Sequence, residues 1–167
     1  MNEKGTKMDF IAWVQQTEIH RWLAESPYWF PYPFIIALHA MGMGVIVGMN
    51  VAIDLRVLGA VSDIPLAPLE KFFSVMWIGF GVNAVTGIGL TITHPELLLN
   101  WVMWIKFTFI ALALVSLRLL RARVFHDPNL DQGSLSLGSR LLAGASIFFW
   151  VAAITAGRMT AYIDVGP

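Results

Sequence analysis

Residues 33–53 read PFIIALHAMGMGVIVGMNVAI. These 21 positions contain no Asp, Glu, Lys or Arg, and a helix crosses a bilayer core with ~20 apolar residues. The run is therefore expected to span a membrane. It also carries His39 inside the apolar region. Ionisable side chains at that depth are rare and face a bundle interior, a ligand or a water pocket.

Three further stretches also reach spanning length with few charges: Phe72–Thr93, Trp101–Leu120 and Leu137–Tyr162. The 167 residues are 57% hydrophobic and 13% charged, against ~25% charged in an average soluble domain. Four spans leave no room for a soluble domain. The expected fold is an all-α integral membrane four-helix bundle with an N-terminal interfacial amphipathic helix. Residues 1–30 form the tail and interfacial helix, 31–162 the bundle, and 163–167 a C-terminal tail. Net charge is zero, so nothing points to nucleic acid as a partner. The absence of cysteine excludes disulfides, iron–sulfur clusters and thiolate metal sites.

The N-terminal run MNEKGTKMDFIAWVQQTEIHRWL has no continuous apolar core of the signal-peptide kind. The first span is expected to act as its own insertion signal. Within that run, Met8–Leu23 mixes Phe10, Ile11, Trp13, Trp22 and Leu23 with Asp9, Gln15, Glu18 and Arg21. This is the pattern of a helix lying in the membrane interface. Pro27, Pro31 and Pro33 then turn the chain into the first span.

Four spans place both termini on one side, side A, and the loops 54–71 and 121–137 on side B. Arg56, Lys71, Arg118, Arg121, Arg123 and Arg140 lie on side B, while the side-A loop HPELLLN has no cation. The positive-inside rule puts side B in the cytoplasm of a bacterial inner membrane, with periplasmic termini. Lys4, Lys7 and Arg21 pull the other way. Tyr28, Trp29, Tyr32, Trp101, Trp104 and Tyr162 form an aromatic belt at side A. Asp127-Pro128-Asn129 and Asp131-Gln132-Gly133 mark a loop over 126–136.

At 100° per residue, His39, Met43 and Asn50 share one face of the first span. Gly44 and Gly48, in GVIVG, lie roughly opposite and permit close helix packing. On the second span, His94, Gly87, Asn83 and Phe80 share a face. Lys106 lies inside the third span and Arg158 a turn from the end of the fourth. Each span thus brings one polar group to side A: His39, His94, Lys106 and Arg158.

The set matches half of a b-type haem site. His39 and His94 would ligate the iron, with His20 on the interfacial helix as alternative second ligand. Gly87 would let a planar ring approach the backbone, and Lys106 and Arg158 would meet the propionates. The plain readings stand beside it. In these, His39 packs by a bond to a neighbouring helix, His94 is a loop residue before Pro95, and the two cations reach for headgroups. His126, among side-B arginines, reads as a loop residue. Asn50 and Asn83 are expected to bond across helices, at ~0.6–2 kcal/mol each. Met41, Met43 and Met49 near His39 raise copper as an alternative metal, although only Met43 shares the histidine's face. Most methionines here read as packing.

The run LHAMGMGVIVGMNVAIDLRVLG, with Asp54-Leu55-Arg56-Val57-Leu58-Gly59 at its end, Thr86-Gly87 in span 2 and Trp104-Ile105-Lys106-Phe107 opening span 3, resembles a family of small bacterial four-helix membrane proteins. That family is loosely similar to the copper-resistance D membrane domain and to small b-type cytochromes. The resemblance covers roughly residues 20–162 and implies an inner-membrane bundle without an assigned activity. Di-haem b-type cytochromes use four intramembrane histidines, and only His39 is clearly intramembrane here. At most one haem is expected.

The function expected from the sequence is a mono-haem subunit. It would pass electrons between a periplasmic partner and the membrane, with quinone as an acceptor. A cofactor-free structural subunit of a larger complex or homo-oligomer is the alternative, and a copper-handling protein the third. No mid-depth carboxylate for a proton relay is recognised.

Overall fold

The structure is a computed structural model that describes residues 3–28, 30–126 and 135–162. Trp29, the two turn motifs at 127–133 and the 163–167 tail lie outside the described residues. Among the described residues there are helices and no strands. We number the α-helices α1 (Glu3–Gln15), α2 (Glu18–Ala24), α3 (Pro31–Leu58), α4 (Phe72–Thr93), α5 (Trp101–Val124) and α6 (Leu137–Met159). Short 3₁₀ helices, Ala67–Lys71 and Pro95–Leu99, precede α4 and α5. Helices α3 to α6 are long and apolar enough to cross a membrane. The chain is an all-α, multi-pass membrane bundle.

Local chemistry sets the helix ends. Pro31 opens α3, where a missing N–H costs nothing. Gly59 closes it at φ 88°, the left-handed conformation glycine adopts freely. Its N–H donates to the Arg56 carbonyl, and the Ala60 N–H to the Leu55 carbonyl. α3 therefore runs five residues past Ile53, the expected end of the first span. Asn100 caps α5 by accepting from the Val102 N–H at 2.9 Å, and Ser136 caps α6 by accepting from the Ser139 N–H at 3.2 Å.

The expected single interfacial helix is two helices. Thr17 breaks it: its hydroxyl donates to the Val14 carbonyl at 2.6 Å and accepts from the His20 N–H at 3.2 Å. It thus ends α1 and caps α2. The break turns His20 inward, where it is 8% exposed. Trp13 and Trp22 stay exposed.

In the bundle, the α3 backbone lies close to α4 and α6, and that of α6 close to α5, while α4 and α5 meet mainly through long side chains. α2 rests on α4 and α3. Toward side B the core is continuous, with Ile53, Val57, Phe73, Met76, Leu117 and Leu120 buried together. Toward the middle, Ile46, Ala113 and Trp150 form a smaller cluster. The close approach of α3 to α4 is made at Gly42 and Gly79. A Cβ on Gly42 would lie 3.1 Å from the Gly79 carbonyl oxygen and 3.2 Å from the Asn83 nitrogen. Gly44 and Gly48 do not serve this purpose: added Cβ atoms there would meet nothing within 4 Å. The GVIVG face points away from the rest of the chain.

Candidate functional site

His39 sits eight residues into α3, about 12 Å along the helix from its start. Its Nδ1 lies 3.0 Å from the Thr86 hydroxyl oxygen. That hydroxyl has one proton, and the Val82 carbonyl accepts it at 2.7 Å. We therefore assign the contact as His39 Nδ1–H donating to Thr86. This leaves the Nε2 lone pair for another partner. Asn83 adds a second tie between the helices, donating to the His39 carbonyl at 2.7 Å.

Gly87 has a specific part in this arrangement. An added Cβ would lie 3.2 Å from His39 Cε1 and 3.7 Å from Nδ1. A planar ring does lie against the Gly87 backbone, and it is the imidazole of His39. Lys106 comes from α5. Its aliphatic stem runs over Gly157 of α6, where a Cβ would meet Cδ and Cε at 3.5 Å. Arg158 is exposed at the end of α6.

The other two side-A histidines differ sharply. His94 caps the end of α4 and is half-exposed. Both of its ring nitrogens are occupied: Nδ1 donates to the Glu96 carboxylate at 3.1 Å, and Nε2 accepts from the Tyr32 hydroxyl at 3.3 Å. His20 is buried, with Nδ1 2.8 Å from the Ile92 carbonyl. A carbonyl only accepts, so Nδ1 carries the proton and Nε2 keeps its lone pair. His20 and His39 thus share one pattern, an Nδ1–H committed to a protein acceptor and an available Nε2. Metal-ligating histidines are oriented in this way. Their anchor points, Ile92 and Thr86, are six residues apart on α4, about 9 Å along its axis. Among the described residues, no group of three or more His, Cys, Asp or Glu is placed to hold a metal ion. Met41 is largely exposed and does not join His39.

A second polar group lies toward side B, where the sequence reading placed no buried carboxylate. Asn50, Asp54 and Ser146 are all 0% exposed. The Asn50 amide donates to the Asp54 carboxylate and, at 2.8 Å, to the Ser146 hydroxyl. Asn50 therefore faces α6 while His39 faces α4, although helical spacing puts them on one face. Asn50 Oδ1, Asp54 Oδ1 and Trp150 Nε1 are buried with no hydrogen-bond partner among the described residues. The signal was present as Asn50-x-x-x-Asp54 and Ser146-x-x-x-Trp150, two polar pairs at one-turn spacing. It was masked because Asp54 falls just past Ile53, in the stretch the sequence reading gave to the side-B loop 54–71. Compared with family models, curated proteins and solved structures, the chain matches none.

Proposed function

We propose that the chain is an electron-transfer subunit of a bacterial inner membrane. It would hold a single b-type haem near the periplasmic side, between His39 and His20. The observation that supports this is the shared state of those two rings: each has Nδ1–H held by a protein acceptor and Nε2 available. His94, with both nitrogens engaged, is the weaker second ligand. The donor set fits the group, since two oriented imidazoles are the ligands a low-spin haem takes. Bound there, the iron supplies one-electron redox chemistry.

The residues around it have distinct tasks. Thr86 fixes the His39 tautomer and raises its basicity. Gly87 gives the imidazole room against α4. Lys106 on α5 and Arg158 at the end of α6 would supply positive charge, suited to propionates and to favouring the reduced state. α2 brings His20 and shields the end of the bundle from water. A periplasmic donor would approach over the exposed aromatic belt, and the lipid-facing helices give access to quinone.

The second reading is a cofactor-free structural or assembly subunit. It is favoured by how completely Thr86, Gly87 and Asn83 accommodate His39 as a clasp between α3 and α4. Optical spectra of the purified chain separate the two. A reduced α-band with a Soret shift supports haem. Copper retained without a Soret band supports copper handling, and neither supports the clasp. Replacing His20 and His94 singly by alanine then identifies the second ligand, with His20 expected to matter.

A further inference from the structure

At the opposite end from the histidines, the start of α4 and the end of α5 diverge around a cleft of about 430 Å3. Its lining divides in two. Phe73, Trp77 and Leu117 form an apolar wall, while Arg118, Arg121 and His126 form a polar mouth. Arg118 is six residues before the end of α5, about 9 Å inside it. Long cationic side chains at such depth snorkel toward the headgroups. The aromatic wall holds it: the Arg118 guanidinium carbon is 5.1 Å from the Trp77 ring centroid, and that of Arg121 is 5.1 Å from the Phe73 ring. Rings that hold guanidinium groups in this way leave their N–H edges available to an oxyanion.

The only carboxylate meeting either arginine among the described residues is Glu70, 3.5 Å from Arg121 and half-exposed. Among the described residues, two guanidinium groups stand against one carboxylate there. His126 closes the rim, its Nδ1 donating to the Arg121 carbonyl at 3.3 Å.

We propose that this cleft binds the phosphate of an anionic phospholipid headgroup from the side-B leaflet. The arginines would take the phosphate oxygens, and an acyl chain would run along Trp77 and Leu117. A free phosphate shares the headgroup chemistry but leaves the apolar wall unused. The lipid uses both halves of the lining. Basic clefts between membrane helices bind anionic headgroups for this reason. The proposal is independent of the haem reading, because no residue is shared.

The test uses the purified full chain in a neutral detergent, titrated with phosphatidylglycerol, with phosphatidylcholine and with inorganic phosphate, and read by native mass spectrometry and thermal unfolding. Phosphatidylglycerol is expected to bind about twentyfold more tightly than phosphatidylcholine, and the Arg118→Gln/Arg121→Gln double variant is expected to abolish that preference. Glu70→Gln removes the competing carboxylate and is expected to strengthen phosphatidylglycerol binding about fivefold. Equal binding of the two lipids, or a preference that survives in the double variant, overturns the site. Inorganic phosphate matching phosphatidylglycerol at equal concentration overturns the lipid assignment. If the double variant does not fold, Glu70→Gln decides: a gain supports the site, and no change overturns it.

Discussion

Toward side A, His39 ties α3 to α4 through Thr86 and Asn83. Toward side B, Asn50 and Asp54 tie the same helix to α6 through Ser146. The side-A layer is half-buried, its bonds are satisfied, and two imidazoles keep an unshared Nε2. The side-B layer is fully buried and leaves two acceptors and one indole donor without partners among the described residues. In lipid every polar group must be satisfied within the protein or lose several kcal/mol (about 2–7 for a neutral group). The difference teaches that burial and hydrogen-bond satisfaction need not coincide along a membrane helix. The less buried layer leaves imidazole nitrogens open, and the more buried one holds the α3–α6 seam.

Variants can separate the two layers. The largest effect is expected for His39→Ala, which should abolish haem retention while leaving the protein folded. Haem content per folded protein measures this, and unchanged content would remove His39 as a ligand. Asn50→Leu should act on stability instead. It strips Asp54 and Ser146 of their shared donor in a dry core, at a cost of about 3 kcal/mol, read as a lower unfolding midpoint in denaturing detergent. Haem content per folded molecule should not change. If Asn50→Leu removed haem and left the midpoint in place, the layers would have exchanged roles.

Gly87→Ala probes the side-A layer more gently. Its methyl would press on His39 Cε1 at 3.2 Å, and overpacking of this kind costs about 1–3 kcal/mol. We expect a lowered midpoint and a shifted Soret maximum; a spectrum and midpoint identical to the parent's would mean the ring moves aside freely. Arg158→Gln should lower the reduction potential modestly, since one positive charge near the ring is lost, and potentiometric titration reads it. An unchanged potential places Arg158 outside the site. The smallest effect is expected for His94→Gln, a half-exposed residue, with stability changed by less than about 0.5 kcal/mol and haem content preserved. Loss of haem in His94→Gln would restore His94 as the second ligand in place of His20.

The sequence foretold the membrane architecture closely because span length and apolarity depend on local composition alone. Phe72–Thr93 is one helix with the expected bounds, and α3 starts two residues before Pro33 and runs on to the Gly59 stop. Features that depend on neighbours were less readable. Helical spacing aligned His39 with Asn50, yet each meets a different helix, because spacing does not say which neighbours flank a face. Gly44 and Gly48 formed the recognisable small-residue pattern, while the contact is made by Gly42 and Gly79. The Thr17 break was hidden inside an amphipathic run whose polarity pattern continues across it. That break buries His20 and distinguishes it from His94, so the comparison between those histidines could not be drawn from spacing. Asp54 was overlooked because a carboxylate four residues from a helix end looks solvated until α6 is known to cover it.

The most direct measurement is an ultraviolet–visible spectrum of the detergent-purified chain, produced with ample haem supply, oxidised and then dithionite-reduced. A low-spin b-type spectrum is expected, with a sharp reduced α-band and a red-shifted Soret peak at one haem per chain. A flat spectrum from folded protein would contradict the account and leave His39 as a clasp between two helices.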